Sequence, residues 1–201
     1  MICYVVVIYC NIVVVRCRAL LMNASEKHSN QSLLGLETDR LILRRLTLDD
    51  AEFLLELMND PEWLQYIGDR QVYNVQQAKA HLYEGPFKMY QEHGMGMLAV
   101  VVKSSNQVIG MTGIMHRSDE LPPDIGYAFL ASARGKGYAY EAASGMFAVA
   151  CRNISSKQIW GVVNKLNHDS VKLLLKLGFE PLPEKPEGAE LDTLYFRYLI
   201  Q

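Results

Sequence analysis

The stretch Asp124–Ala139, DIGYAFLASARGKGYA, constrains the fold of this 201-residue chain more than any other. Asp124 to Leu130 reads as a strand, Ala131 to Lys136 as a loop of small residues, and Tyr138 to Arg152 as a helix. Where a strand passes through such a loop into a helix, the first-turn N–H groups have no intrahelical partner. They sit at the positive end of the helix dipole. Gly135 and Gly137 let the backbone approach a ligand with no Cβ in the way. The product is an anion cradle sized for phosphate oxygens. The alternative is a plain strand-to-helix turn whose glycines serve geometry alone. The loop is neither GxxxxGK[ST] nor GxGxxG, which disfavours a P-loop ATPase or a Rossmann dinucleotide site.

Around that segment the periodicity predicts a mixed layout. Leu41 to Leu46 is a short strand, and Thr47-Leu48-Asp49-Asp50 has the form of a capping box. Ala51, Leu54, Leu55 and Met58 then mark one helical face, which Asn59-Asp60-Pro61 ends. A second helical stretch runs over about Val75–His93, broken or kinked at Gly85-Pro86. Met97 to Val102 and Val108 to Met115 read as strands around a turn, and His116 to Pro123 as a loop. Strands at Gln158–Val163 and Leu191–Ile200 flank a helix at His168–Leu177, which Gly178 stops. The order is strand, helices, three strands, helix, strand, helix, strand. It implies a hairpin meander followed by βα units rather than an alternating doubly wound fold.

Composition narrows the function classes. Lysine and arginine total 20 against 22 aspartates and glutamates, so a formal charge of −2 makes no electrostatic case for nucleic acid. Four cysteines form no CxxC pair, and none stands at zinc spacing from a histidine, so no metal site is expected. Residues 1–35 read as an apolar segment and a polar leader, set apart from a single domain over 36–201. Ile2 to Val15 is apolar except for Asn11, too short a run for the roughly 20 residues of a membrane helix. Met22 offers a second start, which would make residues 1–21 upstream sequence. A membrane-associating segment and an added edge strand are the other readings, and only the first of these would bring a membrane into play.

With these motifs in order, the chain resembles the GNAT superfamily of acyl-CoA-dependent N-acyltransferases. The family's pyrophosphate signature, Gln/Arg-x-x-Gly-x-Gly/Ala, is matched by Arg134-Gly135-Lys136-Gly137-Tyr138-Ala139. The opening Leu36-Glu37-Thr38-Asp39-Arg40-Leu41-Ile42-Leu43-Arg44 resembles the branch that holds ribosomal-protein N-terminal (RimJ/RimL-like) acetyltransferases. So do Asp124-Ile125-Gly126-Tyr127, Gly137 to Ala142, and Asn167-x-x-Ser170 through Lys176-Leu177-Gly178-Phe179. The resemblance implies an α/β (α+β) fold: a mixed, mostly antiparallel sheet flanked by helices and splayed around a CoA site. It implies acetyl-CoA as cosubstrate and a primary amine as acceptor (a small molecule or a protein N-terminus); the sparse cysteines point to a cytoplasmic setting, and a monomer or homodimer is expected. By the same resemblance, the N–H groups of Arg134, Gly135, Lys136, Gly137, Tyr138 and Ala139 would hold the pyrophosphate. Phe129 and Leu130 would pair with the pantetheine arm. Asn167 would touch the arm as well, although helix capping explains it equally well.

Forming an amide from a thioester requires a neutral amine. An α-amine titrates near ~7.7–8.0 and a lysine amine near ~10.4, so the site must accept a proton, stabilise an oxyanion and attend to the leaving thiolate. Asp124, Glu120 and His116 are the candidate bases; Asp119 and Glu120 also read as solvated loop charges, and His116 as a strand end. Glu141, in the first turn after the loop, reads as structural. Many family members place a tyrosine shortly before Lys-Leu-Gly-Phe to protonate the thiolate. Leu174 occupies that place here, leaving Ser170 or a water as donor. That departure motivates a second hypothesis, a non-catalytic acyl-CoA-binding module. Trp63, Tyr66, Tyr73 and Tyr83 fall in the region that shapes the acceptor pocket, as packing or as recognition.

Overall fold

A computed structural model describes residues 32–200. The apolar run 2–15, the alternative start at Met22 and the first three cysteines lie outside the described residues. The described chain forms one eight-stranded sheet. Its strands are β1 (Gly35–Glu37), β2 (Leu41–Arg45), β3 (Met97–Val102), β4 (Gln107–Met115), β5 (Asp124–Phe129), β6 (Gln158–Asn164), β7 (Glu180–Pro181) and β8 (Thr193–Leu199). Their spatial order is β1-β2-β3-β4-β5-β6-β8-β7. Every pairing is antiparallel except β5 with β6. The helices are α1 (Ala51–Met58), α2 (Pro61–Tyr66), α3 (Val75–Leu82), α4 (Lys88–His93), α5 (Tyr138–Asn153) and α6 (His168–Lys176). The sheet thus begins inside the stretch assigned to a leader: Gly35 already pairs with Arg44.

The alternation along β3 accounts for the layers. Leu98, Val100 and Val102 pack with Ala142, Met146 and Phe147 of α5, whereas Ala99 and Val101 pack with Leu54 and Met58 of α1 and Leu82 of α3. A strand buried on both faces reads as continuous apolar sequence, and MLAVVV does. Arg44 and the capping box fasten α1 to the sheet. Asp50, 4% exposed, accepts from the Arg44 guanidinium at 2.7 and 2.8 Å and from the Thr47 N–H at 2.8 Å. Burial alone would raise this carboxyl, but these donors outweigh it and hold it below the ordinary range.

Two elements depart from the sequence expectation. Pro61 does follow the end of α1, yet it also occupies the first position of α2, where its missing N–H is not needed. Asp60 caps that helix by accepting from the Glu62 N–H at 2.9 Å. At Gly85-Pro86 the chain does not break. It widens into a π-turn over Tyr83–Phe87, so that α3, the turn and α4 run on. A π-turn relieves the clash that a proline ring makes with the preceding turn. Among the described residues, no helix is long and apolar enough to cross a membrane.

Candidate active site

The site is a break in the sheet. β5 and β6 share one register pair, Asp124 with Trp160, and then separate. β4 pairs with β5 over its whole length, from Met115↔Asp124 to Gly110↔Phe129. The Leu130 N–H donates to the Ile109 carbonyl, so strand alternation turns the N–H and C=O of Tyr127 and Phe129 toward the gap. The Phe129 carbonyl is taken by Arg134 Nε at 3.0 Å. What remains is an open strand edge, which ends in the glycine loop.

That loop has the geometry of an anion cradle. Gly135 and Gly137 adopt φ of +73° and +79°, a region costly for residues with a Cβ. Gly137 caps α5, and its carbonyl accepts the Glu141 N–H. The N–H groups of Gly135 to Tyr140 have no acceptor among the described residues. Arg40 lies under the loop: it donates to the Lys136 carbonyl at 3.1 Å and stacks on Tyr138 at 4.4 Å. Glu141 holds Arg40 in turn, accepting from its Nε at 2.6 Å and its N–H at 2.8 Å, and from Thr38 Oγ1 at 2.6 Å. Burial pushes Glu141 upward, but these donors hold its carboxyl below the usual range. It is a structural tie between the β1–β2 turn and the loop.

Two of the expected residues have their main-chain groups already engaged. The Arg134 N–H donates to the Ala131 carbonyl, so the free N–H groups begin at Gly135. The Arg134 side chain is bound to Asp60 (2.6 Å) and Glu62 (3.0 Å) of the α2 start. Leu130 has neither backbone group free, because its carbonyl accepts from Ala133. The main-chain groups left open on this edge are therefore those of Tyr127 and the Phe129 N–H, and Leu130 offers none. The Phe129 side chain packs in the core.

From the gap a cleft of about 460 Å³ opens between α1–α4 on one side and β6 with α6 on the other. Its size and largely apolar walls suit a small-molecule site. Asp124 lines it, 3% exposed, with its two oxygens accepting from Arg117 at 2.7 and 3.0 Å. Burial raises the Asp124 carboxyl above its ordinary value; the Arg117 guanidinium opposes that and loses. Glu120 is exposed and does not line the cleft, and His116 pairs with Asp119 at 3.6 Å and stacks on His93. The geometry thus gathers Asp124 into the cleft and leaves Glu120 and His116 out of it.

Asn167 and Ser170 both line the cleft. Asn167 caps α6, its Oδ1 accepting from the Ser170 N–H at 3.0 Å. The Tyr127 hydroxyl, held far above its ordinary titration by burial, donates to the Ser170 carbonyl at 3.0 Å. Leu174 is 1% exposed and packs against Gly161, where a Cβ would lie 2.6 Å from its Cδ2. Trp63 and Tyr66 also line the cleft, whereas Tyr73 and Tyr83 are exposed outside it. Sequence reasoning passed over Arg117, Tyr127, Arg70 and His81. Arg117 had one signal: a cation in the loop that joins two paired strands, one of which starts with an acid.

Residues 40–180 match the family model described as an acetyltransferase (GNAT) domain. The chain belongs to the GNAT acetyltransferase family. It is 29% identical over 170 residues to an N-acetyltransferase of Bacillus licheniformis called p20, itself uncharacterised; the match covers 82% of this chain and 95% of that one. Among solved structures, an acetyltransferase from Agrobacterium tumefaciens str. C58 shares the fold at a TM-score of 0.71 and 22% identity, covering 86% of this chain and 98% of that one. RimL, a ribosomal L7/L12 alpha-N-protein acetyltransferase in complex with coenzyme A, shares it at 0.66 and 17%, covering 81% and 96%. This GNAT chain is therefore an acetyltransferase that uses an acyl-CoA. The mixed, mostly antiparallel, splayed sheet expected of the family is the one observed.

Proposed function

We propose that this GNAT chain transfers the acetyl group of acetyl-CoA to a primary amine by direct attack within a ternary complex. The observation that carries the reading is the continuity of three parts. An N–H cradle at Gly135–Tyr140 adjoins an open strand edge at Tyr127 and Phe129, and that edge forms one side of a cleft holding a buried acid. In this reading the cradle binds the pyrophosphate through Gly135, Lys136, Gly137, Tyr138 and Ala139. The strand edge takes the pantetheine amides as an added strand would, by main-chain hydrogen bonds. Asn167 borders the same channel.

The amine enters between α1–α4 and β5. Asp124 takes the ammonium proton, directly or through a water. Its raised carboxyl, nearer to neutrality than a solvated aspartate, makes it the stronger base. Arg117 keeps both oxygens oriented while the proton is held. The nitrogen lone pair attacks the thioester carbon, the C–S bond breaks as the amide forms, and the second proton of the nitrogen passes through Ser170 or a water to the departing thiolate. Holding two reactants in line can supply several kcal/mol by itself, on the order of 7 or more, which fits a site with few ionisable groups.

The test is release of free CoA thiol from acetyl-CoA in the presence of an amine panel. Turnover with any amine supports transfer over the binding-only alternative that Leu174 suggests. Gly137→Asp places a carboxylate and a Cβ against the cradle, and a fall in CoA affinity of at least ten-fold by calorimetry is expected. Unchanged affinity in a folded variant removes the cradle from the reading. A cytoplasmic setting accords with use of acetyl-CoA and is checked by cell fractionation.

A further inference from the structure

The two walls of the cleft differ in charge. The acids that line it, Asp124 and Glu190, belong to β5 and to the segment before β8. The wall built by α1–α4 and their connections contributes no acid. Its surface is that of Met58, Trp63, Ile67, Pro86 and Met89. Arg70 and His81 are its ionisable members apart from the Tyr66 phenol. Burial and the nearby Arg70 hold the His81 imidazole below its ordinary value, so it is neutral at pH 7. Arg70 is then the charge on this wall, and no carboxylate pairs with it among the described residues.

A polycationic acceptor would meet an arginine and no counter-charge on this side. An apolar body fits the wall, and its methionines adapt to varied shapes. An arginine without a partner beside an apolar surface recognises a planar anion through two parallel N–H donors.

Resting on the acetyl-CoA:amine reading above, we propose that the acceptor is a compact amine with an apolar body that also carries a carboxylate, and that Arg70 is the residue that binds this carboxylate. The amine end points to Asp124, the apolar body lies along Trp63, Ile67 and Met89, and the carboxylate projects to Arg70 at the exposed side of the wall. Arg70 then sets specificity and takes no part in proton transfer.

Binding of acetylated products to the CoA-saturated protein tests this without needing turnover. The probes are 4-(acetamidomethyl)phenylacetate, N-acetyl-4-methylbenzylamine, which lacks only the carboxylate, and N1-acetylspermidine, titrated by calorimetry. The expected result is that 4-(acetamidomethyl)phenylacetate binds about ten-fold more tightly than N-acetyl-4-methylbenzylamine. Arg70→Gln should abolish that difference and leave CoA affinity unchanged. Arg70→Lys should restore part of it. Equal affinity for the first two probes, tighter binding of N1-acetylspermidine, absence of binding by all three, or a preference that survives Arg70→Gln each overturns the proposal. Failure of the acetyltransfer reading shows up differently, as no thiol release from acetyl-CoA with any amine while the carboxylate preference stands.

Discussion

Asp124→Asn separates the two roles that a buried acid can have. Asp124 is 3% exposed, and Arg117 binds both of its oxygens. Its carboxyl nevertheless stays above the ordinary 3.8, so at neutral pH the desolvation of the charge exceeds what the pair returns. Asparagine keeps the volume and one acceptor oxygen and removes the charge. The Arg117 side chain is 52% exposed and retains water when the charge opposite it disappears. Stability at pH 7 should therefore change by no more than about 1 kcal/mol in a denaturant titration. The rate should respond differently. Loss of a general base lowers turnover by about 10²–10⁴-fold, which is about 3–5 kcal/mol of barrier. Thiol release by the variant should recover as pH rises toward the pKa of the amine, because the solution then supplies the neutral nucleophile. The stability of the wild type relative to the variant should also depend on pH with a defined sign. The native carboxyl holds its proton more tightly than the unfolded one. Relative stability is thus fully present below pH 3.8, falls as pH rises through the raised native value, and is level above it. Turnover at the wild-type rate in a folded Asp124→Asn protein would refute the assignment of the base. A relative stability that rises with pH would refute the account of the ion pair.

Four further variants probe the frame. Glu141→Gln puts an amide donor where Thr38 Oγ1 and Arg40 donate, and should cost about 1–3 kcal/mol at pH 7. Because the Glu141 carboxyl is held below its ordinary 4.5, the difference should be full above that pH and vanish as pH falls through the lowered native value, read as denaturant midpoints at pH 7 and near pH 3. Leu174→Ala should lose about 2–5 kcal/mol in the same assay, and Leu174→Tyr should also lose stability, because the methyl groups of Leu174 already fill the space over Gly161. Gly113→Ala should cost about 1–3 kcal/mol, since a Cβ there collides with the Gly96 carbonyl across the β3–β4 pair.

The parts of this molecule that were legible in the sequence are those whose cause is local. Gly135 and Gly137 announce themselves because their positive φ angles suit few other residues. The strand MLAVVV follows from its unbroken apolar run and the helical face of α1 from its periodicity, and both report burial directly. Pro61 was ambiguous for a physical reason: the same ring that cannot continue one helix is well suited to begin the next. What decides between the two is Asp60, and Asp60 is oriented by Arg134, 74 residues away. The π-turn at Tyr83–Phe87 was invisible because the pair Gly85-Pro86 serves a break, a kink or a widened turn equally well. Arg117 was passed over since its partner is set by the hairpin register of β4 and β5, which places Met115 opposite Asp124. Glu120 carries the same carboxylate chemistry as Asp124. Only the start of β5 determines that one is buried in the cleft and the other faces water.

The division between what sequence conveys and what it hides matches a division within the site. In the proposed reading the cofactor half is made of main chain: six N–H groups and a strand edge, shaped by two glycines. Such a half imposes few side-chain requirements, and those it imposes are short motifs such as Arg134–Ala139. The acceptor half is made of side chains from four helices and their connections, brought together by packing against the sheet. No spacing rule links Arg70 to Met89 or Trp63 to His81; each reaches the cleft from its own helix or connection. Family membership therefore conveys acyl-CoA use and stays silent on the acceptor, which in the proposed reading the helical wall selects. An exchange of α1–α4 residues that line the cleft should accordingly change acceptor preference while leaving CoA affinity intact, and a change at Gly135 or Gly137 should do the reverse.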